Sequence, residues 1–341
     1  MLKFTIGADI SKDKINFALL HDNQFLFDKE VKNTTTELNK FVKEVSSLLK
    51  SISKKENATF EVEYIMEYTG IYNNLLVECL LGHKITTYIV SGLAIKNSQG
   101  ISRGKNDKID ARRIADYGVR YNDKLIPFTM CSDVLKKLKA LKTKRAQLVK
   151  VKAQLVQSNT DSKKFLGKEI NNTLSSSTKL VIDELTKSIK TLDDLMMKLI
   201  KSDKEIFDNY KLAVSVPGVG KVIAITLISA SVNFTKFSSA KALGTYCGVV
   251  PFGSESGNKK GKDRVSHLAN KKLKTLLHLG ALSAVNGKNA YADYYQKKIT
   301  VDKKNKMLAL NNVRNKMLKT VFACIKSKTK YQIDYCYQHA V

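Results

Sequence analysis

Four acidic residues stand where the chain could carry metal chemistry. Asp9 comes late in the apolar run Phe4–Ile10, Glu67 directly follows Tyr64-Ile65-Met66, and Asp107 and Asp110 open an amphipathic stretch. Their three-residue spacing puts Asp107 and Asp110 on one face of a helix. Carboxylates at strand ends and at a helix start are the oxygen ligands that a hard cation such as Mg2+ takes. Two such ions can clamp a phosphoryl group for in-line displacement. Each acid also has a plainer reading: Asp107 as a helix cap, Asp9 as a turn former, Glu67 as a solvated rim charge. A second candidate centre is Ser256, between Gly253 and Gly257, with Lys259, Lys260, Lys262 and Arg264 just behind it. A flexible cationic loop of this kind can hold a phosphodiester. On its residues alone Ser256 is an ordinary loop serine. A hydroxyl needs a base or a metal to act as a nucleophile, and His267 is only a remote candidate.

The elements that must position these groups read as follows. Phe4–Ile10, Lys14–Leu20 and Gln24–Val31 are three short strands, the last two separated by the turn-like Asp22-Asn23. Thr34 or Thr35 caps a helix with Leu38, Phe41, Val42, Val45, Leu48 and Leu49 on one face. A strand over Phe60–Met66 and a helix with Leu75, Leu76 and Leu80 follow, then a strand at Ile85–Val90, a polar loop Asn97–Asn106 and a helix from about Asp107. Such alternation makes a mixed α/β sheet, closed by a boundary near Pro127. Beyond it, Val134, Leu138, Leu141, Leu148 and Leu155, and again Val181, Leu185, Leu192, Leu195 and Leu199, repeat at 4/3 spacing. They predict two long amphipathic helices with Ser175-Ser176-Ser177 as the loop between them. The pair forms an antiparallel hairpin, an intermolecular coiled coil, or a helical spacer packed on its own domain. The remainder reads as helical. Within it Val216-Pro217-Gly218-Val219-Gly220-Lys221 has the form of a helix-hairpin-helix turn, in which backbone N–H groups approach a phosphate.

Length and charge bound the function. A chain of 341 residues is expected to hold two domains. The formal net charge is +28, yet residues 1–110 carry 15 Lys and Arg against 14 Asp and Glu, and residues 111–341 carry 44 against 17. A nearly neutral first part precedes a strongly cationic one, which would make most contacts to a polyphosphate partner. No apolar run is long enough for a membrane span and no charged-then-apolar leader opens the chain. Cys79, Cys131, Cys247, Cys324 and Cys336 are odd in number and never in CxxC spacing, so free thiols in a reducing cytoplasm are expected.

Three motifs carry a family resemblance. Gly7-Ala8-Asp9-Ile10-Ser11-Lys12, Glu67-Tyr68-Thr69-Gly70-Ile71-Tyr72 and Lys105-Asn106-Asp107-Lys108-Ile109-Asp110-Ala111 resemble the DEDD insertion-sequence transposases. These are relatives of the Piv DNA invertases and include the bridge-RNA-guided recombinases. The second half resembles the family independently, through Val216–Gly220, Tyr246-Cys247-Gly248-Val249-Val250-Pro251, Ser256-Gly257 and Val265–Lys274. The resemblance runs from about residue 3 to Tyr331. It implies an N-terminal RuvC-like (ribonuclease-H-type) α/β domain over 1–130 with Asp9, Glu67, Asp107 and Asp110 as a Mg2+-binding tetrad. A helical coiled-coil or oligomerisation segment over 131–205 follows, then a mainly α transposase domain over 206–341 carrying the helix-hairpin-helix-like element. The serine of the family's Ser-Gly pair is its nucleophile, which points to Ser256, with Ser254 two residues away as the other register.

The resemblance further implies a mobile-element recombinase of the prokaryotic cytoplasm that joins DNA through a phosphoserine link. Its partners would be donor and target duplex DNA, a structured bridge RNA, and further copies of the chain in a dimer or tetramer. Gly218, Gly220, Lys221, Lys259, Lys260, Lys262, Arg264, Asn270 and Lys274 are the candidate nucleic-acid contacts. Two positions depart from the family pattern: Ala269 stands where Gly is usual, and Lys274 where Arg is usual, which gives up a bidentate fork. Tyr291, Tyr294 and Tyr295, followed by Lys303, Lys304 and Lys306, either stack bases or pack in a core. Two other readings stand beside the recombinase: a metal-only nuclease of Holliday-junction type, and a non-catalytic nucleic-acid binder.

Overall fold

A computed structural model describes residues 1–100, 106–253, 255, 256, 259–261 and 263–332, with backbone alone at 255, 256, 259 and 260. Two compact units divide the chain, one of Met1–Met130 and one from Cys131 onward.

The first unit opens with a meander of β1 (Leu2–Ile10), β2 (Lys14–His21) and β3 (Gln24–Lys32). Asp22 and Asn23 both adopt positive φ, at 46° and 62°, the tight-hairpin geometry their side chains tolerate. Next comes α1 (Thr35–Lys55), where Thr34 accepts a hydrogen bond from the Glu37 N–H at 3.5 Å. β4 (Phe60–Glu67), α2 (Asn74–Gly82), β5 (Thr86–Val90), α3 (Gly92–Ser98) and α4 (Asp107–Arg120) complete it. The sheet order is β3-β2-β1-β4-β5, antiparallel through the meander and parallel from β1 to β5. This is the RuvC-like, ribonuclease-H-type arrangement.

Alternation along the strands gives the sheet two different faces. Phe4, Ile6, Ala8 and Ile10 of β1, with Tyr64 and Met66 of β4, pack with Leu38, Phe41, Val42, Val45 and Leu49 of α1 and with Leu76 and Leu80 of α2. Thr5, Gly7 and Asp9 look the other way, towards α4. At Gly7 a Cβ would lie 2.1 Å from the Ala111 carbonyl oxygen and 2.4 Å from the Ala115 nitrogen. At Gly118 it would meet Ile65 at 2.5 Å and Thr5 at 3.2 Å. Two glycines, one on each partner, thus let α4 lie almost on the backbone of β1. Arg112 of α4 fastens the helix sideways by a forked pair with Asp28 of β3, Nε to Oδ1 at 2.9 Å. Leu48 and Leu75, expected on buried faces, are 40 % and 39 % exposed, and the stretch expected to be a loop from Asn97 begins inside α3.

The second unit begins with α5 (Asp133–Phe165) and α6 (Lys168–Ser202), packed along each other as an antiparallel hairpin within one chain. The reversal lies at Leu166-Gly167, not at the serine triplet. Ser176 and Ser177 lie inside α6 and donate to the Thr173 and Leu174 carbonyls at 2.8 Å, so their hydroxyls are satisfied without ending the helix. The inward stripe of α6 is Ile182, Leu185, Ile189, Leu192, Met196 and Ile200, while Val181 and Leu195 from the expected seam face outwards. Arg145 crosses to Asp193 at 2.7 and 3.2 Å, and Asn159 to Thr178 at 2.8 Å.

The roots of this hairpin, Leu135, Leu138, Met196 and Ile200, share a core with the helices that follow. Those are α7 (Lys204–Val214), α8 (Lys221–Ser231) and α9 (Ala240–Tyr246), then α10 (Lys271–Val285), α11 (Ala290–Thr300) and α12 (Lys306–Ser327). Between α9 and α10 the chain leaves the helical pattern for four two-residue strands, β6 (Pro251–Phe252), β7 (Glu255–Ser256), β8 (Lys259–Lys260) and β9 (Arg264–Val265). β6 pairs with β9 and β7 with β8. Tyr291 is buried, and Tyr294 and Tyr295 pack against the same core, so these rings serve packing. Cys79, Cys131, Cys247 and Cys324 are free thiols, and burial pushes that of Cys247 up to about 12. Among the described residues no helix is long and apolar enough to cross a membrane.

The glycine at β1 gives a direct test. Gly7→Ala forces a methyl group into the α4 backbone and should cost about 1–3 kcal/mol or more in unfolding free energy. Gly82→Ala, with open space around it, should leave thermal and urea unfolding unchanged.

Candidate active site

The register of β1 and β4 places two of the four acids. Ala8 lies opposite Met66 in the parallel pair, so Asp9 and Glu67, each the next residue, sit side by side at the carboxyl ends of adjacent strands. Both belong to the face that α4 covers, two residues beyond Gly7 and Ile65. α4 runs against β1: Gly118 is beside Thr5, and Ala111 and Ala115 are beside Gly7. Its first turn therefore comes to the end of the sheet that carries Asp9. Asn106 caps the helix by accepting from the Lys108 N–H at 3.1 Å, so Asp107 is the first helical residue and not the cap. Acids there also favour the positive end of the helix dipole.

The fold thus brings Asp9, Glu67, Asp107 and Asp110 to one end of one sheet face, but it does not close them on a point. Among the described residues no three acidic, histidine or cysteine side chains converge to hold a metal ion. Asp110 pairs with Arg113 at 2.9 Å, and Asp107 faces Lys14 at 3.6 Å. Lys14 itself holds Glu30 at 2.7 Å, a hydrogen bond that raises its pKa. The donor chemistry, four carboxylates and no sulfur or imidazole, fits a hard divalent cation. Closing the set requires the two paired acids to turn away from Lys14 and Arg113.

Three residues that the sequence did not single out build the rim. Asn73 is buried and spends its whole side chain on the Glu67 turn. Its Oδ1 accepts from the Thr69 N–H at 2.7 Å and the Thr69 hydroxyl at 2.9 Å, and its Nδ2 donates to the Glu67 carbonyl at 2.8 Å. Asn33 donates to the Ser11 carbonyl at 3.0 Å and the Tyr72 carbonyl at 3.2 Å, tying the loop after Asp9 to the turn after Glu67. Gly92, at the start of α3, leaves room for the Glu67 carboxylate: a Cβ there would lie 2.0 Å from Oε1. An asparagine or glycine in a polar stretch carries no one-dimensional signal for such contacts.

In the second unit Ser256 lies on β7, paired through its backbone with Lys259 of β8. Ser254, Gly257 and Lys262 lie outside the described residues. Arg264 is exposed on β9 opposite Phe252. Asn270 serves the fold: its Oδ1 caps α10 from the Leu273 N–H at 3.0 Å, and its Nδ2 donates to the Tyr246 hydroxyl at 3.0 Å. Gly248, at φ +67°, faces Ala269 and the Lys274 stem, at 2.7 and 3.3 Å from an added Cβ. Ala269, where the family has Gly, is thus accommodated by the glycine across from it. Gly218, at φ +83°, packs against α10, where an added Cβ would lie 2.4 Å from the Gly280 oxygen. Gly220, by contrast, is exposed at the start of α8, with Lys221 next to it. Lys142 of α5 adds a cation that the sequence reading did not mark. Burial, then Lys139 and Lys272, lower its pKa.

A three-strand meander running into parallel strands, with acids at one end beneath a crossing helix and a cationic helical unit behind, defines a RuvC-like nucleic-acid-processing enzyme. A transposase family model of the DEDD, IS110 type matches residues 6–162, and a model described as the transposase IS116/IS110/IS902 family matches residues 210–296. The chain belongs to the IS110-type DEDD transposases, and it is a DNA transposase or recombinase. It is 27% identical to the pilin gene-inverting protein of Moraxella bovis, over 97% of this chain and 98% of that protein. Against the pilin gene-inverting protein of Moraxella lacunata the identity is again 27%, over 97% and 98%. It is 21% identical to an uncharacterized 44.8 kDa protein of insertion element IS116 from Streptomyces clavuligerus, over 81% and 83%. Among solved structures, Thermus thermophilus RuvC in complex with a Holliday junction substrate matches 37% of this chain and 99% of its own, at 10% identity and a TM-score of 0.28. Nucleases of the DEDD and RuvC-like class typically use divalent metal ions.

Gly92→Ala tests whether the Glu67 position matters. The added methyl displaces a flexible carboxylate and no backbone, so the melting temperature should stay within a few degrees of wild type. DNA strand cleavage should fall by on the order of 10²-fold, the usual effect of a misplaced reacting group.

Proposed function

We propose that the chain cuts and rejoins DNA strands through a phosphoserine intermediate at Ser256, with Mg2+ held by Asp9, Glu67, Asp107 and Asp110. One observation carries this reading: the β1–β4 register and the close approach of α4 deliver four carboxylates from distant sequence positions to one end of the sheet. A fold that needed only solubility would spread them. The chemistry such an ion supplies when bound is Lewis-acid polarisation of a phosphoryl oxygen. The chain's own residues do the rest. Ser256 Oγ forms a bond to phosphorus, its proton passes to a base, and one deoxyribose oxygen leaves with its electron pair and takes up a proton. The phosphoester so formed conserves the bond, so a second strand's hydroxyl can displace the serine and reseal the DNA without a nucleotide cofactor.

Around this centre the first unit provides the metal site and the hairpin of α5 and α6 the contact between copies, in a dimer or tetramer. The remainder presents Ser256 and grips nucleic acid through Lys221, Lys259, Lys260, Lys262, Arg264 and Lys274. A structured bridge RNA would pair with donor and target duplexes, leaving backbone and shape contacts to the protein. The Lys-rich balance of residues 111–341 suits that division. The enzyme would act in the prokaryotic cytoplasm.

Ser256→Ala should abolish the covalent protein–DNA adduct, detected by denaturing electrophoresis with labelled DNA, while duplex binding persists. An adduct that survives moves the nucleophile, with Ser254→Ala next. Asp9→Asn or Asp110→Asn, and equally chelation by EDTA, should eliminate strand exchange. Cleavage by Ser256→Ala at the wild-type rate with no adduct would instead establish the metal-only nuclease.

A further inference from the structure

Arg314 of α12 is an arginine in the wrong surroundings for a structural ion pair. It is 7 % exposed, its Nε is sealed from solvent with no hydrogen-bond partner, and among the described residues no carboxylate meets it. Burying an unpaired guanidinium is expensive, and buried charges are ordinarily matched by a counter-charge. Burial lowers its pKa. The nearest titratable neighbour is no help: His278 of α10 lies within electrostatic reach, its Nδ1 is also buried and unpartnered, and its pKa is lowered by burial and then by Arg314 itself. Two donor-bearing side chains therefore sit in the interior of a cationic unit with no acceptor between them.

Their place in the fold says what is missing. On the same face of α12, three residues before Arg314, Asn311 donates to the Val249 carbonyl at 3.0 Å. One turn before His278 on α10, the Lys274 stem lies over Gly248. Arg314, His278 and Lys274 thus surround the Gly248-Val249 turn, two residues ahead of β6, the strand that leads to Ser256. A planar fork of donors, an imidazole and an ammonium around one turn match the oxygens of a phosphodiester.

We propose that Arg314, with His278 and Lys274, forms a phosphate-binding pocket that takes one backbone phosphate of the bound nucleic acid at the root of the Ser256 hairpin. The identity of the anion rests on the nucleic-acid reading above; the pocket itself does not. The residue's small remaining exposure is the way in.

The test uses the full chain and two probes, inorganic phosphate and a duplex of about 30 base pairs. Phosphate should raise the melting temperature of wild type above that in chloride at equal ionic strength, as any ligand of the native state does. It should not raise that of Arg314→Met. In phosphate-free buffer Arg314→Met should melt at or above wild type, because an unpaired buried charge has been replaced by an apolar chain of similar length. Its duplex affinity should fall, with the slope of log K against log salt shallower by about one. In wild type, phosphate should move the His278 imidazole titration upwards by NMR, a readout that needs no folded variant. Equal stabilisation of both proteins by phosphate, a marked loss of stability in Arg314→Met with unchanged duplex binding, or an unmoved His278 would each overturn the pocket. Ser256→Ala retaining its adduct while these shifts hold would overturn the nucleophile and leave the pocket standing.

Discussion

The close contact between β1 and α4 is the constraint on which the rest of the first unit depends. Backbone meets backbone where Gly7 faces Ala111 and Ala115, and a single methyl group would prevent it. Gly118 repeats the device one strand over, against Ile65. Small residues at both levels set the helix height, and the Arg112–Asp28 fork sets its rotation. Raising α4 by the thickness of a side chain would lift Asp107 and Asp110 away from Asp9 and Glu67. The acid constellation is therefore a consequence of small-residue packing several residues distant from any acid, held by interior close-packing that transmits such shifts faithfully.

The second unit is governed by the opposite problem, an excess of one sign of charge. With 44 basic against 17 acidic residues beyond position 110, most lysines have no partner to find. At the surface this costs little, since water and salt screen it. Lys142 and Arg314 are the places where it reaches inwards, one beside Lys139 and Lys272, the other beside His278. Free energy left unrealised in the isolated chain becomes available when a polyanion binds. A protein whose partner is a phosphate backbone can keep its counter-ions outside itself, and this chain does so.

How much of this is legible in one dimension depends on how local each cause is. Strand alternation is local, so β1, β2 and β4 follow from Phe4–Ile10, Lys14–Leu20 and Phe60–Met66 within one or two residues. The acids stand out because a carboxylate at the end of an apolar strand breaks the local pattern. The serine triplet misleads for the converse reason: Ser is neutral in helices when its hydroxyl can reach the preceding turn, as at Ser176 and Ser177. Gly167 is the real breaker. The seam of α6 is displaced because Val181 and Leu195 fit a 4/3 repeat as well as Ile182 and Met196 do, and only the facing helix chooses between them. Asn33, Asn73, Gly92 and Arg314 are silent in the sequence. Each is defined by a contact across many positions, which composition and periodicity do not encode.

The pairing of Asp107 with Lys14 and of Asp110 with Arg113 has a place in the same logic. Four carboxylates at one end of a sheet repel one another, and cations beside two of them relieve that repulsion. These pairs are partly exposed, with side-chain exposures of 44 % and 55 % in the first and 21 % and 28 % in the second. Pairs of that kind contribute about 0–1 kcal/mol each. Releasing both acids is therefore a small cost beside the affinity of several carboxylates for a divalent cation. The same two cations, once released, lie at the rim where a phosphate backbone would arrive. Lys14 and Arg113 are thus suited to exchange a carboxylate for a phosphate in the step that frees the acids to close, which couples assembly of the metal site to arrival of DNA without any movement of the sheet.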